Sequence, residues 1–397
     1  MPTPRCLLAY VLAAMLAWAP SKRSLCRAAA PPDGAAASSA AELAATLDRI
    51  RATHDVPALA AAVIVGGDVK AAAAVGVRKR GDATAVTVDD RFHLGSCTKA
   101  MTATLVQVLV ERKQLRWDMT LAEALPDLAS RMHPAYRKVT LLQCAAHRSG
   151  MPGANETWPT GMDFLGVHRL PGSPRAQRLA YATKILAQEP AVEPGTTFLY
   201  SNAGYAVLGA ACEEATDTPW EDLMRTHLFR PLKMDRAGFG AMGSPGAVDQ
   251  PWQHKVLGGK PTPLEPGSLI DNPPAIGPAG TVHCRITDWA AFVKAHLDGA
   301  GGRATPLAVT DWRRLHTSPF GGTYALGWGT PERGWAGGTA LTHAGSNGMN
   351  YAVVWLAPTR DFAVVVCTNT GADAAPKACD DVAAATIRRF LDRKETP

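Results

Sequence analysis

The chain has 397 residues, 47% hydrophobic and 19% charged, with a formal net charge of +6. That length supports one large domain or two intertwined ones around a real core, and the composition is too apolar and too weakly charged for a disordered chain. Four basic residues (Arg5, Lys22, Arg23, Arg27) fall in the first 30, which carry no acid, so the remainder is nearly balanced and offers no basic patch for nucleic acid. Arg5, the apolar run 6–19 and the small residues Ala28–Ala30 have the layout of a signal peptide over 1–30. The run is shorter than the about 20 residues that span a bilayer. A periplasmic or secreted protein is therefore expected, with no membrane span once the signal is removed. A short membrane anchor stays open as the alternative, because Pro20 and Pro31 follow the small residues where cleavage would occur. Residues 31–41, PPDGAAASSAA, read as a low-complexity linker, followed by a helix from about Ala41 to Thr53.

The runs Leu59–Val65 and Val69–Val77 flank Gly66-Gly67-Asp68, a hairpin signal. The segment CTKAMTATLVQVLVERK, from Cys97, is patterned as a helix. Between about 116 and 284, helices are predicted at Thr140–Ala146, Arg175–Gln188, Gly204–Thr216 and Trp220–Leu228. The stretches 150–174 and 240–280 read as long irregular loops, the kind that carry function or disorder. Ala340–His343, Tyr351–Leu356 and Phe362–Thr368 read as strands, with turns at Gly345–Gly348 and Pro358–Asp361, before an amphipathic helix Ala374–Lys394. Strands at both ends and almost none between predict one sheet built from 42–115 plus 285–397, with 116–284 inserted as a helical, loop-rich domain. Six cysteines beyond the signal region (Cys97, Cys144, Cys212, Cys284, Cys367, Cys379) are widely spaced and fit buried free thiols; one or two disulfides stay open.

Three short motifs carry chemistry. In Gly95-Ser96-Cys97-Thr98-Lys99, Ser96 and Lys99 lie three apart at a helix start and can touch. A serine hydroxyl needs a base to become a nucleophile, and a lysine pushed to its neutral form by burial can be that base. An ordinary helix start with Ser96 as its cap is the plain alternative. Tyr200-Ser201-Asn202 places a phenol and an amide on one side of a turn; a phenol beside a cationic lysine is acidified and shuttles a proton, and the amide holds the lysine and a substrate carbonyl. Its plain alternative is a tyrosine capping the helix at Gly204. His343-Ala344-Gly345-Ser346 closes a strand; the Ser346 N–H, with that of Ser96, would form an oxyanion hole, and Gly345 permits close approach of backbone and substrate. His-x-Gly alone is uninformative, and His93-Leu94-Gly95 repeats it.

The order and spacing of these motifs resemble the Ser-x-x-Lys, Tyr-x-Asn and Lys/His-x-Gly triplet of the serine beta-lactamase and penicillin-binding protein superfamily, in its class C beta-lactamase, D-alanyl-D-alanine carboxypeptidase and family VIII esterase branch. Residues 140–152 (TLLQCAAHRSGMP), 194–209 (PGTTFLYSNAGYAVLG), 231–234 (PLKM) and 277–292 (GPAGTVHCRITDWAAF) extend the resemblance over about 50–394. It implies an α+β fold, an antiparallel sheet flanked by helices with an inserted helical domain. It implies a serine hydrolase acting through an acyl-enzyme. Ser96 would be the nucleophile, Lys99 its base and Tyr200 the proton relay. Asn202, His343, Gly345 and Ser346 would hold substrate and oxyanion. The substrate would be a small molecule or a peptide: a D-amino-acid peptide, an ester or a beta-lactam. No metal or organic cofactor is implied, and nothing sets the oligomeric state. His343 stands where class C beta-lactamases carry lysine, which argues against efficient beta-lactam hydrolysis. If its charge acidifies Tyr200, activity should vary with pH near roughly 6.5, and His343→Lys should flatten that dependence. Arg148 replaces the usual threonine. A non-catalytic binding or scaffold protein that keeps the fold is the alternative from another class.

Other motifs fail their structural requirements. Gly238–Gly243 matches Gly-x-Gly-x-x-Gly, but Ser244-Pro245-Gly246 follows where a dinucleotide site needs a helix. There is no His-Glu-x-x-His and no Gly-x-Ser-x-Gly elbow. Asn155-Glu156-Thr157 matches a glycosylation sequon by chance. Trp158, Phe164 and Trp252 in the long loops would either shape a substrate pocket or plug the loops onto the core.

Overall fold

The computed structural model describes residues 34–153 and 158–391. The expected signal peptide at 1–30 and the sequon at 155–157 lie outside the described residues. At the centre is a five-stranded antiparallel sheet. Across it run Leu341–Ser346, Tyr351–Ala357, Phe362–Thr368, Ala58–Val65 and Asp68–Gly76. The first strands of the chain thus pair with the last: Ala60 faces Cys367 and Val63 faces Val364.

The sequence of the central strand, ALAAAVIV, explains its place. Side chains alternate between faces with a period of two. Ala58, Ala60, Ala62 and Ile64 enter one apolar cluster, while Leu59, Ala61 and Val63 enter another. Apolar residues on both faces need cover on both faces. Helices Gly34–Thr53 and Ala374–Leu391 cover one, with Leu43, Leu47, Ile50, Val382 and Ala383. Helix Ile286–Ala300 covers the other through Trp289, Phe292 and Val293. Beyond it lie Thr98–Glu111 and Asn202–Thr216, almost wholly buried along their length, as helices apolar all round must be. The six described cysteines are free and buried among these layers.

The structure departs from the sequence expectations at several elements, among them the short helix Phe164–His168 inside the stretch 150–174 expected to be irregular. The linker expected at 31–41 is helical from Gly34, because an Ala-rich run without later Gly or Pro favours helix over coil. Val282–Arg285 is a strand that pairs with Arg91–His93 and with Gly238–Phe239, joining the middle of the chain to its front. The region 240–280 contains a hairpin, Gln253–Leu257 with Lys260–Leu264. Its prolines, Pro261 and Pro263, disguise it; two residues apart, they turn their missing N–H groups to the same, unpaired side. The turn expected at Gly345–Gly348 starts later, since the edge strand continues through Ser346.

Candidate active site

Two chain segments meet at the edge strand. Ser96 sits in a single 3₁₀ turn, Gly95–Cys97, just ahead of helix Thr98–Glu111. That helix receives no side-chain cap, so Ser96 is not a cap and its hydroxyl is directed elsewhere. Gly95 has φ +49°, and a Cβ there would lie 2.4 Å from the Ser346 nitrogen. A Cβ at Gly345 would lie 2.0 Å from the Leu94 oxygen and 2.6 Å from the Ser96 nitrogen. Glycine at both positions is therefore what lets the turn and strand touch, bringing the backbone nitrogens of Ser96 and Ser346 close to each other.

Lys99 is fully buried. Its Nζ lies 3.1 Å from Ser96 Oγ, 2.8 Å from Asn202 Oδ1 and 2.8 Å from the Ala279 carbonyl oxygen. Burial pushes its pKa well below the ordinary lysine value. A neutral amine has two N–H bonds. In that form the Asn202 and Ala279 oxygens, which can only accept, would take both, leaving the lone pair to the Ser96 hydroxyl. The Ala279 carbonyl is itself held in place. Thr102 Oγ1 donates to Pro278 O at 2.7 Å, Asn272 Nδ2 to Gly280 O at 2.8 Å and Arg178 Nη2 to Pro274 O at 3.2 Å.

Tyr200 and Asn202 straddle a helix start. The cap is the residue between them: Ser201 Oγ accepts from the Gly204 N–H at 3.2 Å, not Tyr200 as one reading had it. This leaves Asn202 in the first turn facing Lys99 and Tyr200 outside it, hydrogen-bonded to Ser96, with Lys99 Nζ 4.7 Å from the Tyr200 ring centroid. The expected acidification of the phenol does not occur. Burial raises the Tyr200 pKa and outweighs the lowering by its bond to Ser96.

His343 also differs from expectation. Burial, reinforced by Lys99, pushes its pKa down to about 4, so it is uncharged at neutral pH. Its hydrogen bonds fix a directed chain. The Ser201 N–H donates to His147 Nδ1 at 3.1 Å, so the His147 proton is on Nε2 and goes to Tyr324 Oη at 3.2 Å. The Tyr324 hydroxyl donates to His343 Nε2 at 3.1 Å, and His343 Nδ1–H donates to Ala344 O at 2.7 Å. This chain links the Tyr-x-Asn turn to the edge strand through two neutral imidazoles. Tyr324→Phe removes its middle member and leaves two buried ring nitrogens without a partner. A loss of about 1–3 kcal/mol is expected in denaturant unfolding; an unchanged midpoint would mean the chain of bonds is not formed. The pH–rate profile is expected to show no break from His343 near 6.5, and any break from it at about 4. There, protonation of Nε2 replaces an acceptor by a donor facing Tyr324.

All seven residues expected at the site (Ser96, Lys99, Tyr200, Asn202, His343, Gly345 and Ser346) lie on these converging segments. Three contributors escaped the sequence reading. The Ala279 carbonyl is backbone and leaves no residue signature. His147 was visible as part of the 140–152 segment, without a role. Tyr324 had no signal. The loop aromatics act mainly as plugs: Trp252 is buried, donates to Ala247 O at 2.9 Å and lies under Lys79, and Trp158 packs on Phe164 against the core. Among the described residues, no cluster of His, Cys, Asp and Glu is placed to hold a metal ion. None of the described helices is long and apolar enough to cross a membrane.

Comparisons with known proteins bear on the family and the fold. The sequence profile of the family described as Beta-lactamase matches residues 43–387. The "Penicillin-binding protein 4" of Amycolatopsis lactamdurans is 32% identical over 341 residues, covering 82% of this chain and 84% of that protein. The "Unguisins hydrolase ungD'" of Aspergillus campestris is 27% identical over 304 residues, which is 72% of this chain and about half, 54%, of that longer protein. Among solved structures, the octameric penicillin-binding protein homologue from Pyrococcus abyssi superposes with a TM-score of 0.71 at 22% identity, covering 89% of this chain and 78% of that one. SurE does so at 0.72 and 23%, covering 92% and 79%. The chain belongs to the beta-lactamase family and has the serine hydrolase fold it shares with penicillin-binding proteins.

Proposed function

We propose that the protein is an exported hydrolase that cleaves ester or amide carbonyls through an acyl-enzyme, in the manner of the carboxypeptidase-like or esterase-like members of its family. Ser96 attacks the carbonyl as its proton passes to Lys99. The N–H groups of Ser96 and Ser346 receive the developing oxyanion. Tyr200, protonated at rest, hands its proton to the leaving group and recovers from Lys99 the proton that Ser96 gave up, and Asn202 holds the amine in register. Deacylation repeats the sequence with water. The observation that carries this reading is the buried Lys99 amine, whose Nζ lies 2.8 Å from the Asn202 and Ala279 oxygens and 3.1 Å from Ser96 Oγ, so that its unprotonated form turns its lone pair to the serine.

The uncharged His343 favours esters and peptides over beta-lactams. In class C enzymes a lysine at this position supplies a fixed positive charge for the substrate's carboxylate; His343 supplies none at neutral pH. Weak beta-lactamase activity is compatible with the same apparatus. The test is covalent labelling with a fluorophosphonate and a fluorescent penicillin. This is followed by initial rates on p-nitrophenyl esters, nitrocefin and a D-Ala-D-Ala peptide. Labelling that disappears in Ser96→Ala supports a hydrolase; an unlabelled wild-type protein would support the non-catalytic scaffold instead. Detection of the mature protein outside the cytoplasm tests export.

A further inference from the structure

The His93-Leu94-Gly95 pattern, which looked like a chance repeat of His-x-Gly, lies directly before the nucleophile. His93 is fully buried and Asp271, from the 240–280 loop, is 2% exposed. The Gly95 N–H donates to His93 Nδ1 at 3.0 Å. A backbone N–H can only donate, so the His93 proton is on Nε2, which faces the Asp271 carboxylate at 2.9 and 3.0 Å. The same carboxylate accepts from the Asn272 N–H at 2.7 Å and from Asn347 Nδ2 at 3.0 Å. Asn347 is the residue after Ser346, and its other amide proton goes to Gln253 Oε1 at 2.7 Å. The Asp271 carbonyl in turn accepts from His168 Nε2 at 3.0 Å, so the loop carrying Asp271 is tied to the helix Phe164–His168 as well.

We propose that Asp271 is a positioning residue that sets the spacing of the two oxyanion-binding N–H groups, reaching the Ser96 side through His93 and Gly95 and the Ser346 side through Asn347. This rests on the hydrolase reading above. The chemistry of the position requires a carboxylate. His93 Nε2–H, the Asn272 N–H and the Asn347 amide are all donors, and all converge on one side chain. A carboxylate is acceptor-only and receives all three. An asparagine must turn its own NH₂ toward at least one of them, which sets donor against donor in a buried site. Gly95 and Gly345 let the turn and the strand touch, but glycine carries no side chain to fix where they stop. Asp271 supplies that stop from outside, directly through Asn347 on one side and through His93 to Gly95 on the other.

The test is Asp271→Asn, with Asn347→Ala as a milder variant on the partly exposed turn. With a chromogenic ester, kcat is expected to fall about 100-fold in Asp271→Asn and about 10-fold in Asn347→Ala, with KM changed little, since misplacing such donors by about an ångström weakens the transition state more than the ground state. His93→Gln, which keeps an acceptor for Gly95 and a donor for Asp271, is expected to stay within about 5-fold of wild type, and His93→Phe to match Asp271→Asn. Hydrogen exchange supplies a readout that needs no turnover: in Asp271→Asn, segments 94–97 and 344–348 should lose protection together while the rest of the sheet keeps it. Unchanged kcat in both milder and stronger variants would overturn the proposal. So would loss of protection on one side alone, or parallel changes in kcat, KM and melting temperature. A wild-type protein that no acylating probe labels, yet shows coupled exchange at the two segments, would remove the hydrolase reading and leave the clamp.

Discussion

Ser96→Ala is expected to lower turnover of a reactive ester by roughly 10⁴-fold or more, with the fold unchanged. The hydroxyl has one environment that explains it: Lys99 Nζ at 3.1 Å, a bond to Tyr200, and a position in a 3₁₀ turn pressed against the edge strand. Alanine removes the attacking atom and nothing else that supports the fold. The following helix has no side-chain cap to lose, and Lys99 keeps its bonds to Asn202 and Ala279. A stability change within about 1 kcal/mol is expected, as for substitutions outside the known mechanisms of large loss. Initial rates and a melting curve on the same preparation check both halves. A variant that keeps more than about one per cent of the rate places the nucleophile elsewhere.

Lys99→Met is expected to cost about 10³-fold, within the range for loss of a general base. Methionine fills the same space and carries no lone pair of comparable basicity. The pH dependence gives the sharper reading. In the proposed mechanism the active form is the unprotonated amine, and burial depresses its pKa well below the usual lysine value. Wild-type activity should therefore fall as pH drops through that depressed pKa and be fully present above it. In the variant this limb should vanish along with most of the rate. An acid limb that persists unchanged would show that another group is the base.

Much of this arrangement was legible in the residues, because it is written in local spacing. Leu59–Val65 and Phe362–Thr368 are short apolar runs bounded by turn residues, and the structure builds strands there. The interval between Ser96 and Lys99 is one helical turn, and their side chains meet. What escaped depends on environment rather than spacing. The expected charge on His343 and the expected acidity of Tyr200 both had the wrong direction, because burial, which no motif records, moves an imidazole down and a phenol up. The Ala279 carbonyl could not be seen since every residue has one. Asp271 is distant in sequence from everything it binds except Asn272. The segment from Gly34 was misread for a simpler reason: alanine and serine mixed with glycine look like a linker by composition, while alanine itself is the best helix former.

The pairing of Ala58–Val65 with Phe362–Thr368 has a consequence for biosynthesis. A nascent chain presents its most apolar strand about 300 residues before the partner leaves the ribosome. During that interval the strand offers an open edge of the kind that aggregates, and closing so long a loop slows folding. The reactive serine is likewise translated long before the strand that completes its oxyanion pocket. Stalled or prematurely terminated products should therefore be inert, and more dependent on chaperones than the finished protein.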